Sequence, residues 1–208
     1  MRIGNSAAYE NFVGKLMAAG KTGIVATQHT LQLEVNLTTV DTVYDFRLTD
    51  DAGGKLKSER RLNQNDVFMV TGLQVLFCKR ADDNDVKGRY CTYPNATLFP
   101  NSKGDLEAVY NGVLKMTVDN KVYVPGYDLL QHRSVPRSQD MDLPDVIQDS
   151  LDLSRDGIIG IYPTITLQGN KTSQIQAVLP SALASVEAGV KTRLVLRLHG
   201  FLAQNAAL

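Results

Sequence analysis

Few residues of this chain combine the type and the spacing that chemistry needs. The stretch 14–22, GKLMAAGKT, comes nearest to a phosphate-cradling loop, but the interval from Gly14 to Gly20 is one residue too long. Gly14 also falls inside a helical pattern, so a helix end followed by a turn is the better account. Asp152, Ser154 and Asp156 set oxygen donors at alternate positions with Gly157 next, as a calcium loop begins. Pro163 stands where that loop needs its bidentate carboxylate, so a turn entering a strand is expected and no metal is assigned. Asp82, Asp83 and Asp85 read as a solvated acidic loop tip. His29, His132 and His199 show no metal-ligand spacing, and His199 is expected at the surface or in an interface. Cys78 lies in an apolar run, where a thiol is usually inert. A hairpin over 79–90 would bring it near Cys91, as a disulfide or as two small apolar residues on neighbouring strands. No cofactor is expected.

The elements that would carry these residues are mostly strands. Over 7–19, Tyr9, Phe12, Val13, Leu16 and Met17 share one face of a helix, with Ser6 as its N-cap and Gly20 as its end. Leu31, Leu33, Val35 and Leu37 alternate with Gln32, Glu34 and Asn36, the pattern of a strand with one wet face. Tyr44, Phe46 and Leu48 repeat it. The charged stretch 55–65 reads as solvated. The apolar run 66–79 reads as a core strand broken at Gly72. Asp119 and Asn120 suit a tight hairpin turn between Leu114–Met116–Val118 and Val122–Val124. A polar connection or arm occupies 131–154. Strand character resumes at 158–167, turns at 168–171 and returns at 173–179. The strand 191–205 is expected to be antiparallel and half-buried, with a bulge or close backbone approach at Gly200. The count points to one mainly β domain spanning 1–208: an antiparallel β-sandwich, with a jelly roll as one form, carrying an N-terminal amphipathic helix and an extended arm.

Composition narrows the partners. Twenty-two basic residues balance twenty-two acidic ones, so nucleic acid is not expected as a sequence-specific ligand. No apolar run is long enough to span a membrane as a helix, and no apolar export segment follows residues 1–5, so neither is expected. What remains concerns association. The segment 123–139, YVPGYDLLQHRSVPRSQ, mixes Tyr127, Leu129, Leu130, His132, Arg133 and Arg137 in a Pro-interrupted stretch, which reads equally as interface material or as an ordinary long loop over the sandwich. Tyr9, Phe12 and Leu16 on the helix serve either as a core lid or as a docking face.

The order of features resembles that of virion structural proteins of bacteriophages: the N-terminal helix, RLNQNDVFMVTGLQVLFCKR (61–80), TYPNATLFP (92–100), YNGVLKMTVDNKVYVPGYDLL (110–130) and LHGFLAQN (198–205). The resemblance covers most of the chain. It implies a non-enzymatic capsid or coat-type subunit that assembles with copies of itself and other virion proteins, in the host cytoplasm and then in the virion. The competing readings are a sandwich module for carbohydrate or a cell surface, which would have to use tyrosine because the chain has no Trp, and an enzyme with a site dispersed over loops.

Overall fold

The computed structural model describes residues 4–50, 54–86, 88–135 and 157–207. In chain order these form helix α1 (Gly4–Ala18), strands β1 (Ala26–Asn36), β2 (Val43–Phe46), β3 (Val67–Arg80) and β4 (Arg89–Cys91), and the short helix α2 (Lys103–Glu107). Strands β5 (Val113–Val118), β6 (Lys121–Asp128), β7 (Ile159–Gln168), β8 (Ser173–Val178) and β9 (Lys191–Ala203) complete them. One sheet runs β1-β9-β3, with β4 and β7 both pairing with β3; the other runs β2-β8-β5-β6. All pairings between named strands are antiparallel.

The pairing is nested. The first strand meets the last, β2 meets β8, β3 meets β7, and β5 and β6 close the innermost hairpin. It is one long hairpin wound on itself, with β9 and β8 also pairing with β3 and β5. This is jelly-roll connectivity, two Greek keys packed as a sandwich. Period-two alternation produces it: Leu31, Leu33, Phe68, Val75, Phe77, Leu194, Leu196 and Leu198 of one sheet meet Tyr44, Phe46, Leu114, Met116, Ile175 and Ala177 of the other in a single buried core.

Turn chemistry matches the sequence where backbone conformation demands it. Asp119 and Asn120 both take positive φ (49° and 62°), joining β5 to β6. Gly20, at φ 84°, ends α1 with its N–H on Met17 O (2.9 Å) while the Lys21 N–H reaches Leu16 O (3.1 Å), a Schellman closure. The register of β3 slips between Val70 and Gly72. Opposite that slip, a Cβ on Gly200 would stand 1.8 Å from Met69 O, so the close approach expected at Gly200 is present.

Several expectations are corrected. Strand β9 is central and covered on both faces rather than half-buried, because α1 and an ionic layer roof its outer side. The stretch 55–65 is not simply solvated: Glu59, Arg61 and Leu62 are buried, and backbone bridges tie Arg60 to Gln32 and Leu62 to Thr49. The turn at 168–171 does not make a hairpin, since β7 and β8 lie in different sheets. Helix α1 begins before Ser6, which is therefore not its cap, and Met17 is exposed. Helix α2 has no counterpart in the sequence reading.

Helix α1 lies over the far end of the first sheet. Phe12 and Leu16 are buried with Ala26, Val67, Met69, Phe201 and Ala203, and Tyr9 meets Phe201 edge-on at 5.4 Å. The helix is a core lid. Fully burying two such side chains is worth about 3–6 kcal/mol.

Candidate functional site

The outer face of the β1-β9-β3 sheet is where the charge collects. The register sets Gln32 opposite Arg197 and Asn36 opposite Arg193, with Glu34 in the row between them. In β3, Gln74 and Cys78 face the same two arginines. Residues directly opposite in antiparallel strands share a face, so the period that buries the leucines inward gathers these polar groups outward.

Glu34 is the hub. Its Oε2 accepts from Arg193 Nη1 (2.8 Å), and its Oε1 accepts from Arg80 Nη2 (3.2 Å), Gln32 Nε2 (2.7 Å) and Tyr90 Oη (3.3 Å). Both arginines and the carboxylate are buried. Arg193 also donates to Asn36 Oδ1 (3.1 Å), the Asp82 carbonyl (3.0 Å) and Asp83 Oδ1 (3.1 Å). Arg80 donates to the Asp85 carbonyl (3.1 Å) and to Tyr90 Oη. Glu59 accepts from the Glu34 N–H (3.0 Å) and pairs with Arg61 (2.7 Å). Glu34, Glu59 and Asp83 thus balance Arg61, Arg80 and Arg193, as burial requires. Gly88 lies directly on this layer: a Cβ there would stand 2.4 Å from Cys78 Sγ and 2.8 Å from Arg80 Cζ.

These groups are unsuited to proton transfer at neutral pH. Burial pushes Glu34 up, but hydrogen bonds from Arg193, Ser58 and Gln32 and the charge of Arg80 outweigh it and hold the carboxyl below its ordinary value. Burial pushes the Cys78 thiol up to about 12, leaving no thiolate. Burial also raises Tyr90, with Glu34 adding to it.

Above the layer opens a polar cleft of about 360 Å³, walled by Gln32, Lys57, Ser58, Arg60, Tyr90 and Arg197 together with Glu59 and Val86. The guanidinium carbons of Arg80 and Arg197 lie over the Tyr90 ring, 5.3 and 4.9 Å from its centre. Arg197 Nε donates to Gln32 Oε1 (2.9 Å).

The residues singled out from the sequence lie elsewhere. Phe12, Leu16, Leu129 and His132 are buried inside the chain, which corrects their assignment as surface offered to a neighbour. Tyr9 and Tyr127 are half-buried, Leu130 is exposed, and Arg133 lies over Tyr93 with Glu107 at 3.5 Å. Arg137, Asp152, Ser154 and Asp156 fall outside the described residues, as does most of the 131–154 arm. The flanks of that arm are joined: His132 Nδ1 donates to the Gly157 carbonyl (2.9 Å), and Thr92 Oγ1 donates to the Ser134 carbonyl (2.7 Å).

The three histidines do not meet. His29 and His199 occupy adjacent pairing positions of β1 and β9 and so point to opposite faces. His199 is not at the open surface: its Nδ1 is 3.2 Å from Thr30 Oγ1, and burial, then the charge of Arg197, push it down to about 4. The two cysteines are buried and not joined in a disulfide. Cys91 pairs with Phe77 whereas Cys78 pairs with Tyr90, a one-residue offset that puts the thiols on opposite faces. The acidic loop is not a free tip, since Asp83 serves Arg193 and Asp82 caps the N–H groups of Asn84 and Asp85 (2.7 and 2.8 Å). Among the described residues no group of three His, Cys, Asp or Glu is placed to hold a metal ion.

The buried cluster was missed from sequence because its members are up to 159 residues apart. The only available signal was the repeated pairing of polar residues with leucine in both β1 and β9. A scan against models of protein families and searches of curated proteins and of solved structures found no match.

Proposed function

We propose that the chain is a non-enzymatic, self-assembling structural subunit of a bacteriophage particle, of capsid or coat type. The observation that carries this reading is a jelly-roll scaffold whose own fold leaves large apolar side chains in water. Edge strand β6 presents Val122 (64% exposed) and Tyr123 (48%), and Leu130 follows at 52%. On the other sheet, β7 departs from register between Gly160 and Ile165 opposite the slip in β3, and Tyr162 projects there at 95% exposure. Exposed Tyr on an edge strand and on a projection supplies the aromatic anchors that a neighbouring copy can bury.

The connectivity supports the same reading by analogy alone. Jelly rolls build viral capsids, and they also serve lectins and enzymes of the cupin type. A cupin places its chemistry between the sheets, whereas here that space is filled by leucine, phenylalanine and valine. A sugar-binding site in the polar cleft would need its aromatic ring free, and there the Tyr90 ring already lies under two guanidinium groups. Assembly requires no chemistry, only matched surfaces. Contacts of about 1,600 Å² each, repeated over several neighbours, give a cooperative lattice.

The test is direct. Light scattering and electron micrographs of concentrated protein are expected to show large regular oligomers, and Tyr123→Ala with Tyr162→Ala is expected to reduce them without lowering thermal stability. A strict monomer at high concentration would refute the proposal.

A further inference from the structure

The cleft above the ionic layer holds positive charge that the fold does not use. Glu34 is shared by Arg80 and Arg193, and Glu59 is taken by Arg61. Among the described residues Lys57, Arg60 and Arg197 have no carboxylate partner, yet all three line the cleft.

Their placement is built into the sheet. Gln32 exchanges backbone hydrogen bonds with Arg60 on one side (2.9 Å each way) and pairs with Arg197 of β9 on the other. Arg60 and Arg197 therefore flank Gln32 on one face. Their Cα atoms stand about 10 Å apart, two strand spacings, within converging reach of both guanidinium groups. Arg197 is held ready: its Nε is fixed by Gln32 Oε1 and its plane lies over Tyr90, leaving the terminal nitrogens free of any protein acceptor among the described residues. Burial pushes this guanidinium down from its ordinary value, with Tyr90 opposing and Arg60 adding to the fall. An anion in the cleft would relieve that cost.

We propose that this cleft is an oxyanion site, taking a phosphate group between Arg60 and Arg197 with Lys57 at its rim. Three cations match a doubly charged tetrahedral group better than a single carboxylate, and the planar guanidinium forks suit its oxygens. Because Tyr90 is already covered, the site reads the phosphate and not an attached base or sugar ring. Such a site stands whether or not the chain assembles into particles.

The experiment is calorimetric titration of the full chain at fixed ionic strength in a chloride buffer, with inorganic phosphate in one arm and glycerol 2-phosphate in the other. Saturable binding is expected. Affinity should fall about tenfold for each of Lys57→Gln and Arg60→Gln, the loss of one charge-assisted hydrogen bond apiece. Both side chains are exposed, so the thermal midpoint of the double variant in chloride should equal that of the parent. Binding of inorganic phosphate alone assigns the free ion; equal binding of the ester assigns a phosphorylated molecule; either upholds the site. No saturable heat in either arm, or equal affinity in the parent and the double variant, would overturn it.

Discussion

Replacing Glu34 with Gln removes one negative charge from a place where two arginines depend on it. The substitution is nearly isosteric, so the β1-β9-β3 packing is kept and the change is electrostatic. Arg80 and Arg193 are both buried, and the remaining partners of Arg80 are the Asp85 carbonyl and the Tyr90 hydroxyl. Removing one partner of a buried ion pair costs about 3–5 kcal/mol. For a chain of this size about 1 kcal/mol moves the melting temperature by roughly 2–4 °C, so a fall of about 6–20 °C is expected at pH 7. The pH dependence has a definite sign. The folded carboxyl is held below its ordinary value of 4.5, so its stabilisation is complete above that value and lost as pH falls through the folded pKa. Thermal unfolding followed by circular dichroism between pH 3 and 8 should therefore show parent and Glu34→Gln converging at the acid end. A loss below about 1 kcal/mol at pH 7, or curves that stay parallel into acid, would refute the reasoning.

Three further outcomes follow from the same geometry. Gly200→Ala would drive a Cβ into Met69 O, so β3 and β9 must part, and a loss of at least about 3 kcal/mol in denaturant titration is expected. Phe12→Ala should cost about 3–5 kcal/mol of fold stability, because the ring packs on this chain's own sheet; an unchanged denaturation midpoint would show that α1 docks elsewhere. His199, depressed from 6.5 to about 4, contributes stability that is present above 6.5 and lost as pH falls towards 4, so His199→Gln should flatten the stability profile across that window.

The inner face of the sandwich was legible from the sequence and the outer face was not. Alternation names the two sides of a strand, and the buried side of β1 follows at once from Leu31 and Leu33. Gly72, Gly200 and the Asp119-Asn120 pair were equally readable, because only certain backbones accept those residues. Glu34 and Arg193 look the same in sequence whether water or a guanidinium satisfies them. The segments that cover them, 55–61 and 81–85, contact β1 and β9 only after the whole chain has wound up. That also hid the central place of β9, whose polar positions argued for an open face. The switch of sheets between β7 and β8 had no local signature, since a turn at 168–171 serves a hairpin or an arch alike. For the cleft, single arginines could be seen but not their convergence: Arg60 and Arg197 are brought together by Gln32, a residue with no chemical claim of its own.

Because β9 threads between β1 and β3, the first sheet cannot close until residues 191–203 have been made. Until then β1 and β3 each lack their central neighbour, and their leucine-rich faces are open to any other strand. Folding of this topology relies on distant contacts and is intrinsically slow. Chains emerging side by side on one message would meet while still able to exchange β9, which opens a route to swapped or aggregated chains.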